Sequence, residues 1–539
     1  MPFKFIPIVV SVIFLALLWT MPAAARASMV QPVWIDGHRY DAHLERNQRF
    51  VATEGEHYEG FFPDDPGSWV RISRLDKGWE GMAYAFGRMH TIGGGERPAT
   101  FSFSQIEEPP QCGLDHLHGQ ALITPDSLIG PAMAQAVSAN YDTLCADKVD
   151  GACLMLELEL AFDKQFQDRF AKPKERAGAI LNMVEGFYKD QFGIIFDTLS
   201  LTFLDSAQDG LFSNTTEAGD LLSDVRDKRA ADSIGFLQSD QSIFHFISGR
   251  DFNGSTAGVA YVGTLCGGSG YASGVTNALS DNAVTALIVA HEIGHNLGAS
   301  HDVTQRSECP QNEYIMSPNV GRNVSSFSSC SYESVTSKIS SLGTVEQCFN
   351  FPADVSLLAA NGNPAEVDQG ATFQANFRID YQDAALEKAD RIAVGGVIGE
   401  GEGRLLGVSF NGNPCTLTGA NADGFNCAGV SARTGLILSI EAEAGTLPTF
   451  NLLQNATLIS NSGEVKDIQP WNNELMTQIA LAEIEPIMPE EPGNGGTATE
   501  TTNNSGSGSG SSNGGGGAVH WMWLLVGALA VASRRRLFK

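Results

Sequence analysis

The chain has 539 residues, with 62 Asp and Glu against 34 Lys and Arg, for a formal net charge of -28. That length exceeds one ordinary domain and predicts two or three, with cores large enough to stand without disulfides. The acidic balance argues against nucleic acid as a partner and otherwise marks a soluble surface.

Lys4 is followed by the apolar run 5-FIPIVVSVIFLALLW-19, and in 23-AAARA-27 the residues Ala25 and Ala27 fit a cleavage site before Ser28. Residues 1–27 are expected to be a secretory signal peptide, the alternative being an uncleaved first membrane helix. Export makes disulfides available to the nine cysteines. Residues 28–150 are of mixed character and stand where a prodomain would. They open polar and aromatic (36-DGHRYDAHLERNQRF-50), and 98-PATFSFSQIEEPP-110 alternates as strands do. Cys112 in 110-PQCGLDHLHGQ-120 carries two readings. As a thiolate it would ligate a metal and hold the site shut; otherwise it is disulfide-bonded or simply buried. The odd number of cysteines leans toward a thiol.

At residue 151 the texture changes. The stretch 154-LMLELELAFD-163 alternates apolar and charged residues, as a half-buried strand should. Residues 164–193 contain a helical pattern with Ile180, Met183, Val184 and Phe187 on one face, and 194-IIFDTLSLTFL-204 reads as a strand. A partly exposed helix is expected within 216–237. Strands are expected at 243-IFHFISGRDF-252 and 257-AGVAYVGTLCG-267, the second as an edge beside a cleft where an extended peptide adds its own hydrogen bonds. Residues 283–297 form an apolar helix that ends in 291-HEIGHNLGASHD-302. His291 and His295 are four residues apart and share a face, which suits two imidazoles on one zinc ion, with Glu292 beside the metal. Gly298 permits the turn that brings His301 in as third ligand. Met316, in 313-EYIMSPNVG-321, packs as a floor beneath that site. The stretch 325-SSFSSCSYESVTSKISSL-342 reads as a closing helix capped by Ser331.

Residues 351–484 show short apolar stretches between Gly, Asn and Asp turns, which suggests a β-sandwich with Cys415 and Cys427 stapling one loop. A flexible Gly/Ser/Thr-rich linker follows over 485–517. The tail 518–539 holds 518-AVHWMWLLVGALAVAS-533 and then Arg534, Arg535 and Arg536. As a helix the apolar run is about 24 Å long against a bilayer core of about 30 Å. Its flanking Trp521 and Trp523 and its arginines look like interfacial anchors.

The extended HExxHxxGxxH pattern followed by a methionine turn is similar to the metzincin zinc metallopeptidases. Asp302 directly after the third histidine, 315-IMSP-318, 327-FSSCS-331 and 261-YVGTLC-266 resemble the adamalysin/reprolysin (ADAM-like) family within that clan. No tyrosine stands two residues after Met316, where astacins and serralysins place one. The resemblance covers residues 151–350. It implies an α/β metzincin catalytic domain: a mixed twisted sheet with long helices, the zinc helix and the methionine turn. It implies Zn2+ held by His291, His295 and His301, with calcium as a further candidate ion for which no ligands are nominated. The metal lowers the pKa of a bound water, Glu292 accepts its proton, and an internal peptide bond of a protein substrate is hydrolysed. Asp302 is expected to brace the turn. The family also implies a Cys266–Cys348 disulfide, with Cys309–Cys330 as a second; Cys145 and Cys153 are close enough in sequence to pair. The stretch 462-SGEVKDIQPWNNELMTQIAL-481 resembles the closing segment of bacterial surface Ig-like repeats, and the tail resembles the glycine-glycine C-terminal sorting signal of Gram-negative bacteria. That second likeness implies bacterial sorting machinery as a partner and a cell-surface or extracellular location, with transient membrane anchoring. Two alternatives stand beside the peptidase reading. One is an adhesion or binding protein in which 351–484 does the work; the other is a metal-dependent hydrolase of non-peptide bonds.

Overall fold

The computed structural model describes residues 29–50, 53–101, 110–113, 140–302, 309–319, 326–384, 390–460 and 465–482. Strands β1 (Met29–Ile35), β2 (His38–Arg46), β3 (Glu56–Phe62), β4 (Asp65–Leu75), β5 (Gly78–Ala85), β6 (Arg88–Gly94) and β7 (Ala99–Phe101) close a barrel in chain order. Its first hairpin turns on Asp36 and Gly37, with φ of 50° and 83°. Both residues are left-handed, as a two-residue type I′ turn requires. The interior is filled by Val33, Ala42, Leu44, Phe62, Val70, Ile72 and their neighbours.

Next come β8 (Gln111–Cys112), α1 (Tyr141–Leu144), β9 (Leu154–Phe162), α2 (Lys164–Arg169), α3 (Pro173–Phe192), β10 (Ile194–Phe203), α4 (Ala218–Ala230), β11 (Ile243–Ser248), β12 (Thr256–Ala260), β13 (Ser273–Asn277), α5 (Asn282–Asn296) and α6 (Ser329–Ser340). They build a sheet in which β10, β9, β11 and β13 are parallel, β12 is antiparallel to β13, and β8 lies parallel on the outer edge of β12. Helix α3 starts on Pro173 and stops at Gly193, whose φ of 58° supplies the left-handed cap. It is buried on nearly every side, because β3 and β4 of the barrel cover one face while α5 and β10 take the other. Barrel residues Phe50, Trp69 and Met82 therefore belong to the same apolar core as α3 and α5.

The segment 140–153 is part of this central unit. Tyr141 is buried, donates its hydroxyl to the Phe192 carbonyl at 2.5 Å, and is followed by the Cys145–Cys153 disulfide. The remaining strands are β14 (Phe349–Ala359), β15 (Glu366–Asp368), β16 (Thr372–Asp383), β17 (Arg391–Ile398), β18 (Gly403–Phe410), β19 (Asn413–Pro414), β20 (Thr416–Thr418), β21 (Gly424–Ser431), β22 (Leu436–Ala444), β23 (Thr449–Ile459), β24 (Val465–Asp467) and β25 (Glu474–Ala482). β14 pairs with β9 through Phe349↔Leu156 and carries the central sheet on into β16, β22, β18 and β19. A second sheet, β15-β25-β23-β17-β21-β20, shares its core, with Phe373 edge-on to Phe450 at 5.0 Å between ring centroids.

Several expectations change. β9 is central, not half-buried: Glu159 has no exposed surface and accepts from Ser200 Oγ, Ser242 Oγ and the amides of Gln238 and Ser239. The cleft strand ends at Ala260, because the next residues turn beneath α5, where Gly263 N and Leu265 N donate to the carbonyls of His295 and Asn296. The cap of α6 is Ser328, which accepts from Ser331 N, and not Ser331. The transmembrane element and the transient membrane anchoring are also corrected. Among the described residues no helix is long and apolar enough to cross a membrane. The longest, α3, carries Lys174, Glu175, Arg176, Glu185, Lys189 and Asp190. The stretches 1–27 and 485–539, on which the leader, linker and sorting expectations rest, lie outside the described residues.

Candidate metal centre

Helix α5 is held at both ends. Asp281 accepts from the amides of Ala283 and Val284 at its start. At its finish Gly298 takes φ 103°, with Gly298 N bonded to His295 O and Ala299 N to Gly294 O. That pair of bonds is the Schellman arrangement, which reverses the chain within two residues. The reversal returns His301 to within 3.2 Å of His291 Nε2 and 3.3 Å of His295 Nε2, measured from its own Nε2.

The tautomers follow from the bonds on the far side of each ring. His291 Nδ1 donates to the Ile315 carbonyl at 2.7 Å, and His295 Nδ1 to the Ala299 carbonyl at 2.8 Å. A carbonyl only accepts, so both Nδ1 atoms carry the proton and both Nε2 lone pairs point into the cluster. Burial pushes His291 down to about 3, with His301 adding to the shift and the Ile315 bond opposing it. Burial, then His291 and His301, push His295 well below its ordinary value. These two lone pairs and His301 Nε2 face one another at a range suited to a metal ion.

Cys112 completes the group. Its Sγ is 3.5 Å from His295 Nε2 and 3.8 Å from Glu292 Oε2. Cys112, His291, His295 and His301 offer ligand atoms that all lie within 4.8 Å of one another. The cysteine keeps its thiol, since the other eight form Cys145–Cys153, Cys266–Cys348, Cys309–Cys330 and Cys415–Cys427. It arrives on the two-residue strand β8, which bonds to the chain on both sides. Gln111 N donates to Ser255 O on the β12 side, while Cys112 N donates to Pro318 O on the other.

Glu292 is fully buried, and its Oε1 has no hydrogen-bond partner. Burial pushes the carboxyl well above the carboxylate range, and the Cys112 contact pulls the other way. Met316 lies beneath the helix with no exposed surface: a Cβ placed on Gly294 would come within 2.8 Å of its Sδ. Asp302 N donates to Met316 O, and Ser328 Oγ donates to Asp302 Oδ1 at 2.6 Å, so Asp302 ties the methionine turn to the cap of α6. The disulfide Cys415–Cys427, from the residue between β19 and β20 to β21, belongs to the C-terminal sheets and not to this group. The edge partner β8 and the strand β13 escaped sequence reading. β13 (273-SGVTN-277) is short and mostly polar although fully buried, so it carries no apolar run to mark it.

Together the fold and site define a group of three histidines and one thiol able to coordinate a metal ion. A family model described as metallo-peptidase family M12, of the reprolysin type, matches residues 155–328. The zinc metalloproteinase-disintegrin-like brevilysin H2a of Gloydius brevicauda is 32% identical over 127 residues, 23% of this chain and 30% of its own length. The snake venom metalloproteinase atroxlysin-1 of Bothrops atrox is 40% identical over 87 residues, 16% of this chain and 43% of its own. Among solved structures, metalloproteinase-II from Bacteroides fragilis is similar with a TM-score of 0.34 and 12% identity, over 60% of this chain and 94% of that one. The chain thus spans less than half the length of the curated relatives named here. Residues 155–328 are a zinc-metallopeptidase domain of the M12 reprolysin/adamalysin type.

Proposed function

We propose that this chain is a zinc endopeptidase of protein substrates, held latent by Cys112. The observation that carries the reading is the convergence of three histidine nitrogens and one thiol within 4.8 Å. The donor set fits zinc: a tetrahedron with Zn–N bonds of about 2.0–2.1 Å has edges of about 3.3–3.4 Å. The two Nε2 separations from His301 are 3.2 and 3.3 Å. His291, His295 and His301 would hold the ion. When bound, zinc supplies a Lewis acid that lowers the pKa of water and polarises a scissile carbonyl.

The rest is the work of the chain itself. Glu292 takes the water's proton on the carboxylate oxygen that now faces Cys112 and hands it to the departing amide nitrogen. Its Oε1 is buried and has no hydrogen-bond partner, which leaves the carboxyl capacity to accept. β12 offers its outer edge to an extended peptide, and the 316–319 segment forms the opposite wall. β8 occupies both, and the Cys112 sulfur stands where the attacking water would sit. The barrel, joined to β8 by the intervening chain, acts as the prodomain. The two C-terminal sheets act as an Ig-like appendage without chemistry of their own.

The test uses the full chain carrying Cys112→Ala, alone and with Glu292→Gln, with denatured casein as substrate. The single variant, in which only backbone bonds still hold β8 over the site for a substrate to compete with, should hydrolyse it and lose that activity to a chelator. The double variant should keep one zinc by elemental analysis while activity drops by about 10²–10⁴-fold. Undiminished hydrolysis by the Glu292→Gln protein sinks the assignment.

A further inference from the structure

Away from the metal centre, the densest set of buried charges lies between the barrel and α3. Glu185 has no exposed surface and receives Arg49 Nη2 at 2.6 Å and Arg71 Nη1 at 3.0 Å from the barrel. Its other oxygen accepts from Phe196 N at 3.0 Å, at the start of β10. The pairing is reciprocated: Glu59 of β3 receives Lys189 of α3 at 2.9 Å and Arg71 at 2.9 Å. One turn earlier on α3, Asn182 donates to the carbonyls of Tyr58 and Ile72 and accepts from Asn47.

Shape complements charge. A Cβ on Gly178 would fall 2.3 Å from His57 Nε2, and one on Gly186 would fall 2.7 Å from Arg71 Cγ and 2.9 Å from Trp69 Cζ3. Only glycines let the barrel come this close. Trp69 then packs edge-on to Phe187 at 5.3 Å. Residues 178, 182, 185, 186 and 189 form one stripe at helical spacing, whereas Tyr188 points to α5 and donates to Ala290 O at 2.6 Å. Breaking such a set one member at a time leaves a buried charge uncompensated, so the barrel leaves as a whole or stays.

The chain on the other side of the cleft strand is anchored as well. Tyr141 N donates to Ser340 Oγ at 2.9 Å, its ring is buried, and Cys145–Cys153 ties the segment to the central unit. We propose that the barrel is held on α3 independently of the peptide that joins it to the catalytic unit, so that a single cut leaves Cys112 tethered and the cleft covered. A cut before Gln111 leaves β8 attached to the segment anchored at Tyr141 and Cys145. A cut after Gly113 leaves β8 attached to the seated barrel. In both cases the tether keeps the local concentration of the thiol at about millimolar or above. Activation therefore takes a second event, either departure of the barrel or another cut. The inference rests on the reading of Cys112 as the latch, but the attachment itself does not.

The experiment places a recognition sequence for a specific protease between Gly113 and Asn140 of the full chain and compares the parent with Glu185→Gln and Arg49→Gln. Each protein is nicked completely, run on size exclusion, and assayed on casein. In the nicked parent, the barrel fragment should co-elute with the remainder and hydrolysis should stay at the level of the intact protein. In the nicked variants, the fragments should separate and hydrolysis should rise by at least about tenfold. Arg49→Gln decides the matter if Glu185→Gln does not fold. Separate elution from the nicked parent, or co-elution in both variants, overturns the proposal. Full hydrolysis by a nicked parent that still co-elutes overturns the claim that the cleft stays covered. If the separated catalytic fragment hydrolyses nothing, the peptidase reading fails while the elution still decides the attachment.

Discussion

Gly258 is where the cleft strand presses on the carboxylate assigned to proton transfer, and Gly258→Ala tests whether that carboxylate must be held in place. A Cβ there would lie 2.6 Å from Glu292 Oε1, 2.9 Å from Glu292 Cγ and 2.8 Å from Ile288 Cγ2, where ordinary contact begins at 3.4 Å. The oxygen must therefore withdraw by 0.8 Å, the difference between 3.4 and 2.6. Neither neighbour has room to give: Glu292 is fully buried, Ile288 is 2% exposed, and β12 is pinned by β13 on its inner side. Overpacking of this kind costs about 1–3 kcal/mol of stability. A displacement approaching 1 Å in a reacting group costs about 10²-fold in rate, or about 2.7 kcal/mol of transition-state stabilisation. The assay is kcat/KM on a peptide substrate in the Cys112→Ala background, with zinc content and thermal midpoint measured alongside. Gly210→Ala serves as control, since nothing lies within 4 Å of the added carbon. The expected protein keeps its zinc, because the histidines are untouched, and loses about two orders of magnitude in kcat/KM. A Gly258→Ala enzyme with full zinc and kcat/KM within about threefold of its parent, less than 0.7 kcal/mol at about 1.36 kcal/mol per tenfold, would refute the reasoning.

Two further outcomes follow from the packing. Burial pushes His57 down to about 4, with the Arg46 charge adding to the shift and a backbone bond opposing it. Unfolded, it titrates near 6.5, so the unfolded chain takes up the proton first. Its contribution is fully present above about pH 6.5 and lost as the pH falls toward 4, about 3 kcal/mol in all. His57→Gln should remove that part of the acid limb in urea midpoints taken between pH 7 and pH 4; an identical pH slope in both proteins would count against it. Gly294→Ala drives a carbon to 2.8 Å from Met316 Sδ and 3.0 Å from Phe327 Cε1, both fully or nearly fully buried. It should cost about 1–3 kcal/mol in the thermal midpoint of the zinc-free protein, and an unmoved midpoint would mean that the methionine floor can retreat.

What could be read without coordinates was what lies close along the chain. The pair His291 and His295 shares a helix face through its i, i+4 spacing alone, and the Gly298 reversal that returns His301 is a property of one residue's φ. β10, β11, α3 and α4 were legible because each carries a continuous periodic run. The barrel was not, and β4 shows why. Val70 and Ile72 point into the barrel while Trp69, Arg71 and Ser73 point at α3, so every residue from 68 to 73 is buried and no alternation survives. The Asp36-Gly37 dipeptide was the one strong local hairpin signal there.

The cap of α6 makes the same point on a smaller scale. The run 325-SSFSSCS-331 offers several serines of equal propensity, and Asp302, reaching across the methionine turn to Ser328, selects among them. Cys112 is the sharpest case. Its sequence left a ligand and a bystander equally open, because 179 residues separate it from His291. By itself the sequence determined the metal-binding motif, since it resides in one eleven-residue stretch whose geometry is local. The family of that domain followed once Asp302 and the short runs at 261–266, 315–318 and 327–331 were added. Only the tertiary structure decided that the thiol meets those histidines and that α3 carries a docking stripe of Asn182, Glu185 and Lys189 for the barrel. Contacts of that range depend on which surfaces the folded chain buries against each other, and no local pattern encodes them.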